Sequence, residues 1–396
     1  MRCLAVCSIV IGLFLFANSR ARCQPGTTSS DSIDVTGFYD SAHHWYDIQD
    51  EDHVIDPLRS RKRYSPVEVR KIAENILLYQ KDNGGWPKNY DMLAVLTSGQ
   101  KRALIASRNL TNTTFDNGAT YSQIEYLARA YAVTGETRFR DASLKGMEFI
   151  LRAQYPNGGW PQFYPLRKGY SSYITFNDDA MVGAMRVLKG IVDNKPWYSF
   201  VDTSLGARAK CAFDKGVDCI IKCQIMEQGK PTAWCQQHDD QTLKPSWART
   251  FEPPSVSSFE SADIVMLLMS IDHPEPRLIK AIEGAVEWID RSKLFGIRVD
   301  SVPAAHASYR YHTTDFDVVV VRDDDAPPTW ARYYELGSNR PLFCNRRGGI
   351  VYSLAEVDRE RRTGYRWYGS HPDEALRAYP AWRAMWCTEG EASGDR

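Results

Sequence analysis

Two short runs combine carboxylates and amides in one frame: Thr114-Phe115-Asp116-Asn117-Gly118-Ala119-Thr120 and Phe176-Asn177-Asp178-Asp179-Ala180-Met181. Each lies where a polar loop gives way to a helix-periodic segment. A single Asp there is expected first as an N-cap, accepting backbone N–H groups of the first turn. The pairing supports a second reading. Carboxylates that face one another are costly unless a cation or a proton lies between them. Asp and Asn oxygens without neighbouring histidines suit calcium rather than zinc or iron. Asp116, Asp178 and Asp179 are therefore candidate metal ligands, with Asn117 beside them.

A basic and aromatic set accompanies them. Trp247-Ala248-Arg249-Thr250-Phe251-Glu252-Pro253-Pro254-Ser255 occupies the corresponding position before a third helical hairpin, which predicts Arg249 near both acidic runs. An ion pair with Glu252 is its ordinary alternative. Trp330-Ala331-Arg332-Tyr333-Tyr334-Glu335 repeats the order Trp-Ala-Arg and leads to Arg340, Arg346 and Arg347. Arginines among aromatics suit a carboxylate or phosphate ligand, although such a run alone also fits a solvated basic edge. Trp86 and Trp160 follow paired glycines in Gly84-Gly85-Trp86-Pro87 and Gly158-Gly159-Trp160-Pro161. Most of their area is expected to pack over a hairpin end, and a face left in a groove would stack on a sugar ring. His238 and His306 lack a catalytic companion, and neither a nucleophile elbow nor a phosphate-binding glycine loop occurs.

The elements that must position these residues repeat. Ile76-Leu77-Leu78-Tyr79-Gln80 leads to Asn83-Gly84-Gly85-Trp86, and Ile150-Leu151-Arg152-Ala153-Gln154 leads to Asn157-Gly158-Gly159-Trp160. A degenerate copy runs from Ile220 to Gln224 and on to Trp234, so the matching glutamines lie 74 and 70 residues apart. A fourth helix, with Ile282, Ala285, Val286 and Ile289 on one face, lacks the Gly-Trp loop. Paired helical periodicities at this repeat length argue for a solenoid or a closed ring of hairpins. Beyond Phe295, Asp317-Val318-Val319-Val320-Val321 and Gly348-Gly349-Ile350-Val351-Tyr352 read as extended pieces of a segment capping one face.

Composition sets the outer limits. The chain has 396 residues, 43% hydrophobic and 25% charged, with no formal net charge, so overall charge gives no reason to expect nucleic-acid binding. Arg2, the apolar run Cys3–Phe16 and the small residues to Ala21 have the layout of a secretory signal peptide over 1–21, and no later stretch would span a membrane. Residues 22–60 read as a polar, poorly ordered lead-in, and 61–396 as a single domain, exported or periplasmic and monomeric. Seven cysteines remain after the signal, for which buried thiols or a disulfide are more natural than a metal site.

Taken together, Asn83–Pro87, Thr114–Thr120, Asn157–Pro161, Phe176–Met181, Trp234-Cys235-Gln236, Arg249 with Glu252–Ser255, and Ala331–Leu336 resemble the family-ten pectate lyases. The likeness runs in one register from about Val67 to the Gly348 region. It implies a mainly α fold, an (α/α)3 toroid of helical hairpins with short β strands and long loops capping one face. It also implies Ca2+-assisted β-elimination on polygalacturonate. By motif, Asp116, Asn117 and Asp178 border the calcium and substrate carboxylate, Arg249 is the base, and Arg332 and Arg346 hold substrate carboxylates. The family commonly has an acidic residue and a glycine after its last arginine. This chain has Arg346-Arg347-Gly348, which leaves Arg347 as an alternative clamp. An arginine base is expected to need a pKa depressed by neighbouring cations, with an alkaline optimum as its signature. Three rivals stand beside this reading: a triterpene-cyclase-like ring, from the Gln-x-x-x-Gly-x-Trp repeats with Asp178-Asp179 as acid; a helical-ring glycoside hydrolase using Asp178; and a secreted carbohydrate-binding scaffold.

Overall fold

A computed structural model describes residues 32–48, 53–58 and 61–387, which fall in one compact unit. The expected signal peptide and Cys23 lie outside these residues. The helices are α1 (Tyr39–Asp47), α2 (Val69–Tyr79), α3 (Ser98–Ala106), α4 (Tyr121–Thr134), α5 (Thr137–Ala153), α6 (Ala180–Val192), α7 (Thr203–Cys223), α8 (Ser258–Met269), α9 (Pro276–Arg291), α10 (Arg359–Thr363) and α11 (Asp373–Trp386). The fold is mainly α, as the periodicity implies.

The pairs α4/α5, α6/α7 and α8/α9 form hairpins, and α2, α4, α6 and α8 pack on one another in sequence as an inner row. Helix α6 is buried on nearly every side, from Ala180 to Ile191, because it sits between two other inner helices. Helix α4 ends where Gly135 takes a left-handed conformation and its N–H closes on Tyr131 O at 2.8 Å.

Two side chains of the repeat join each hairpin to the next. Gln80 Nε2 donates to Gly84 O and to Ala142 O of α5, Gln154 Nε2 to Gly158 O and Ala212 O of α7, and Gln224 Nε2 to Thr232 O and Ala281 O of α9. Each repeat tryptophan turns its indole N–H back onto a helix carbonyl: Trp86 to Ile76, Trp160 to Ile150 and Trp234 to Ile220. Trp330 does the same to Ile289. The fourth helix therefore has its tryptophan after all. The long antiparallel ladder of Ile297–Ser308 with Thr313–Arg322 lies between the two in the sequence and hides the relation. Gly84 and Gly158 have φ of 96° and 95°, and a Cβ there would fall 2.5 and 2.0 Å from Lys145 O and Lys215 O, so only glycine lets these loops lie against the next hairpin.

Short strands pair segments that lie outside the hairpins. Ile350–Val351, Pro341–Cys344, Tyr333–Tyr334 and Val256–Ser257 make an antiparallel sheet in that order, with Val256 opposite Tyr334 and Ser257 opposite Tyr333. Ile174–Thr175 pairs with Gln237–His238, and Trp330–Ala331 with Tyr368–Gly369.

The expected loose lead-in is different. Its described residues, 32–48 and 53–58, pack into the core through Ile33, Phe38, Trp45 and Ile55, and Ser41 Oγ donates to Asn117 O at 2.7 Å. The aromatic residues of this segment outweigh its polar composition. The six described cysteines after the lead-in are all free thiols.

Candidate active site

The acidic runs form two short turns, Asp116–Gly118 and Asn177–Asp179, that touch each other at the starts of α4 and α6. They are equivalent in backbone: Asn117 has φ 51°, ψ 42° and Asp178 has φ 49°, ψ 37°, so the acid and the amide have exchanged places between copies. Asn and Asp tolerate this left-handed conformation better than other non-glycine residues. Neither run caps its helix. The residues at the cap positions of α4 and α6 are Thr120 and Asp179, and neither side chain accepts a capping hydrogen bond. The carboxylates are directed to other partners.

A cleft of about 1270 Å³ lies over these turns, and its lining combines an acidic set, Asp116, Asn117, Asn177 and Asp178, with a basic set, Arg249, Arg332, Arg346 and Arg361. Asp116 is 2% exposed and pairs through Oδ2 with Lys88 Nζ, while its Oδ1 makes no hydrogen bond. Burial pushes its carboxyl up, but the charge and hydrogen bond of Lys88, helped by Gln162 and Arg249, outweigh it and hold the pKa below the usual range. Asp178 behaves oppositely: burial and then the nearby Asp116 charge push it up to about 7, against the pull of Arg332 and Arg249. Its Oδ2 accepts from Asn177 Nδ2.

Asp179 does not join the cleft. It pairs with Arg186 at 2.7 Å, beside Asp263 and His371. The left-handed turn points adjacent side chains to opposite sides, which removes Asp179 from the set of candidate metal ligands. Trp86 and Trp160 are also removed from the ligand-contacting set. Both have no exposed surface, and their polar edges are spent on helix carbonyls. What they do is fix the backbone two residues on, where Lys88, Gln162 and Arg332 enter the cleft from equivalent positions after Trp86, Trp160 and Trp330. Trp247, by contrast, is 47% exposed, so its Trp-Ala-Arg sequence is not a copy of that at Trp330.

Three arginines of the cleft, Arg249, Arg332 and Arg346, each pair with a different glutamate. Arg249 Nε donates to Glu252 Oε2 at 2.7 Å, and its Nη2 to Oε1. Arg332 Nη2 donates to Glu260 and, at 2.9 Å, to Asn177 Oδ1, which ties the basic wall to the second acidic turn. Its Nε is buried without a partner. Arg346 is bidentate with Glu360, at 2.7–3.0 Å. It lines the cleft and Arg347 does not. The guanidinium carbons of Arg249, Arg346 and Arg361 lie 4.8, 5.2 and 4.6 Å from the Phe251 ring centre, a shared cation–π support. Burial pushes Arg249 down, but Glu252 outweighs it and holds the guanidinium well above its ordinary value. The expected depression by neighbouring cations is thus reversed in the resting arrangement.

Sequence patterns did not single out Lys88 and Gln162, the glutamates Glu260 and Glu360, Arg361, Tyr365, or α1, which sets Asp40, His43, His44 and Asp47 along the cleft. Lys88 and Gln162 were discoverable as the second residue after each repeat tryptophan. The others had no signal, because their segments lie outside the repeat.

Among the described residues, no three His, Cys, Asp or Glu side chains cluster as a ready metal site. No helix among them is long and apolar enough to cross a membrane. The pectic acid lyase family profile matches residues 80–376. A family 10 polysaccharide lyase from Cellvibrio cellulosa, in a mutant form complexed with trigalacturonic acid, is 30% identical over 79% of this chain and 92% of its own, with a TM-score of 0.67. A second structure of a family 10 polysaccharide lyase from Cellvibrio cellulosa is 28% identical over 89% of this chain and 99% of its own, also at 0.67. The comparison with curated proteins returned no match. With three quarters of its length inside the family profile and the paired walls of the cleft within that span, the chain belongs to the pectic acid lyase family and is a pectate lyase.

Proposed function

We propose that the protein is a secreted, monomeric pectate lyase, its hairpin row read as an (α/α)3 toroid, which cleaves α-1,4-polygalacturonate by Ca2+-assisted β-elimination with Arg249 as base. The observation that carries this reading is that under-partnered carboxylates and a set of arginines line one cleft. Asp116 and Asp178 suit a hard cation: one offers an unused buried oxygen, and the other has its pKa raised to about 7 by burial and then by its neighbour's charge. With two protein carboxylates available, the substrate carboxylate would complete the ligand set. Bound there, calcium would offset the negative charge that develops on the uronate carboxylate when the C5 proton leaves.

The chain's own groups do the rest. Arg332, with its unpartnered Nε, and Arg346 clamp uronate carboxylates. Arg249 takes the C5 proton; the C–H electron pair becomes the C4–C5 double bond, and O4 departs and is protonated by water. For this, Arg249 must first leave its Glu252 pair, which keeps it charged, and release its proton to water so that the neutral guanidine can accept the C5 proton. Asp178 is the second candidate base, because its pKa of about 7 suits proton transfer at neutral pH.

The test is incubation with polygalacturonate and calcium, following the ultraviolet absorbance of the unsaturated uronate. New reducing ends without that absorbance would replace the lyase with a hydrolase, and a chelator that leaves the rate unchanged would remove calcium. N-terminal sequencing of exported protein tests cleavage after residue 21, and sedimentation tests the monomer.

A further inference from the structure

Past Lys88, Gln162 and Tyr170 the cleft adjoins a second pocket of about 290 Å³, whose further lining includes Asn112, Phe163, Arg167 and Lys168. Nothing in the reaction described above uses it. Lys88, Arg167 and Lys168 bring positive charge to it, and no carboxylate lines it among the described residues. This sets it apart from the main cleft, where Arg249, Arg332 and Arg346 each meet a glutamate. Its floor is Phe163, 8% exposed, with the guanidinium of Arg167 3.9 Å and the ammonium of Lys88 5.6 Å from the ring centre. Phe163 also bridges to Thr114, two residues before Asp116, so the pocket is fixed to the acidic turn.

Two acceptors in the wall have no donor. Gln162 Oε1 and Asn112 Oδ1 are buried and make no hydrogen bond, and Gln162 as a whole is 6% exposed. Unsatisfied buried acceptors are costly and are kept where a ligand or water supplies the donor. Cations beside orphaned acceptors match a ligand that carries an anion and hydroxyl groups together. Phosphate or sulfate would satisfy only the first half. Because Lys88, Gln162 and Tyr170 belong to both concavities, a polymer lying in the cleft reaches the pocket without leaving the surface.

We propose that this pocket is a distal uronate subsite: Arg167 and Lys168 take the carboxylate of a galacturonate residue further along the chain, and Gln162 and Asn112 accept its ring hydroxyls. The assignment rests on the lyase reading of the cleft and makes the enzyme prefer chains longer than the catalytic subsites alone require.

The experiment compares wild type, the double variant Arg167→Ala/Lys168→Ala and the control Lys210→Ala, an exposed lysine paired with Asp214 on α7. Both pocket residues are exposed, so the double variant keeps the core. On hexagalacturonate the double variant is expected to lose about tenfold in kcat/KM, as for one charge-assisted contact. The loss on trigalacturonate is expected to be clearly smaller, and the control to stay within about twofold on both. Equal losses on the two lengths, or none, overturn the subsite. Calorimetric titration of hexagalacturonate in chelator reads binding without turnover. A wild type that binds and a double variant that does not, with no unsaturated product from either, would keep the pocket and sink the lyase. Lyase activity with identical binding by both proteins would do the reverse. Inorganic phosphate that competes as well as monomeric galacturonate would reduce the pocket to a simple anion site and overturn the uronate assignment.

Discussion

The two walls of the cleft carry opposite charges and are built on opposite terms. On the basic wall Arg249, Arg332 and Arg346 each meet a glutamate, stack on Phe251, Tyr365 or Tyr311, and hold their positions without a ligand. On the acidic wall Asp116 has Lys88 for one oxygen and nothing for the other, and Asp178 has only the neighbouring amide while facing Asp116. A wall whose charges are already paired is preorganised and binds by exchange: a substrate carboxylate replaces a glutamate or adds to it. A wall whose charges repel is complete only when a cation arrives. The difference teaches that the acidic wall is where the resting enzyme is destabilised, and that the basic wall is where its chemistry is held back.

The largest effect expected is loss of the base. Arg249→Ala should lower kcat about 10³-fold at saturating calcium, in the range for removal of a general base. Asp178→Asn at the same calcium should raise the calcium requirement more than it lowers the limiting rate. Should Arg249→Ala stay within tenfold of wild type while Asp178→Asn is inert, the base belongs to the acidic wall. Glu252→Gln sharpens the same point. Glu252 is what raises Arg249, so its neutralisation lowers the guanidinium pKa and moves the acid limb of the pH–rate profile to lower pH. An unmoved limb would show that Arg249 is not the titrating group.

A smaller effect concerns the cation. Calcium requires Asp178 ionised, and that carboxyl titrates at about 7 in the absence of metal. Apparent calcium affinity should therefore fall by up to about tenfold per pH unit below 7 and level off above it, with proton release on binding near neutrality. Calorimetry in buffers of different ionisation enthalpy measures both. A pH-independent affinity would mean that Asp178 is not a ligand.

Stability gives the next step down. Asp178 binds its proton more tightly in the native than in the unfolded state, so the native protein holds the extra proton between about pH 4 and 7 and loses stability as pH rises through that window. Without calcium, Asp178→Asn should then be more stable than wild type by about 1–2 kcal/mol at pH 8, with the gain gone at pH 4. Denaturant titration at the two values checks the sign. The basic wall predicts the opposite: Glu260→Gln leaves Arg332, 12% exposed at its side chain, without its carboxylate and should destabilise.

The two walls also differ in how far the sequence disclosed them. The acidic turns belong to a repeat, so its spacing alone puts Asp116 and Asp178 on one face, and the same repeat would have yielded Lys88 and Gln162. Capping was the wrong local inference at both turns. Left-handed residues at Asn117 and Asp178 send the carboxylates into the cleft and send Asp179 to Arg186 instead. On the basic wall, Arg249, Arg332 and Arg346 were legible as arginines among aromatics. Glu252, three residues from Arg249, was legible as its partner, but those of Arg332 and Arg346 were not, since Glu260 and Glu360 arrive from a helix start and from a short helix far along the chain. The folding of α1 onto the cleft was hidden by the polar composition around it. The long ladder before Trp330 concealed the fourth tryptophan, because local pattern cannot look across an insertion.

That tryptophan series supplies the smallest test, and it bears on the comparison because Trp86 and Trp160 serve the acidic wall and Trp330 the basic one. Each indole N–H anchors the residue two positions on: Lys88, Gln162 or Arg332. Replacing Trp160 with Phe keeps most of the buried aromatic area and deletes the hydrogen bond to Ile150 O, at a cost of about 1 kcal/mol in stability. If Trp160 acted as a sugar-stacking face, KM for polygalacturonate would rise with little change in unfolding. Buried as it is, the expected result is the reverse: a lower denaturant midpoint, with KM nearly unchanged because phenylalanine still packs the loop that carries Gln162. The equivalent Trp330→Phe should cost about as much stability and lower kcat further, since the side chain it positions is one of the arginines that hold the substrate carboxylate.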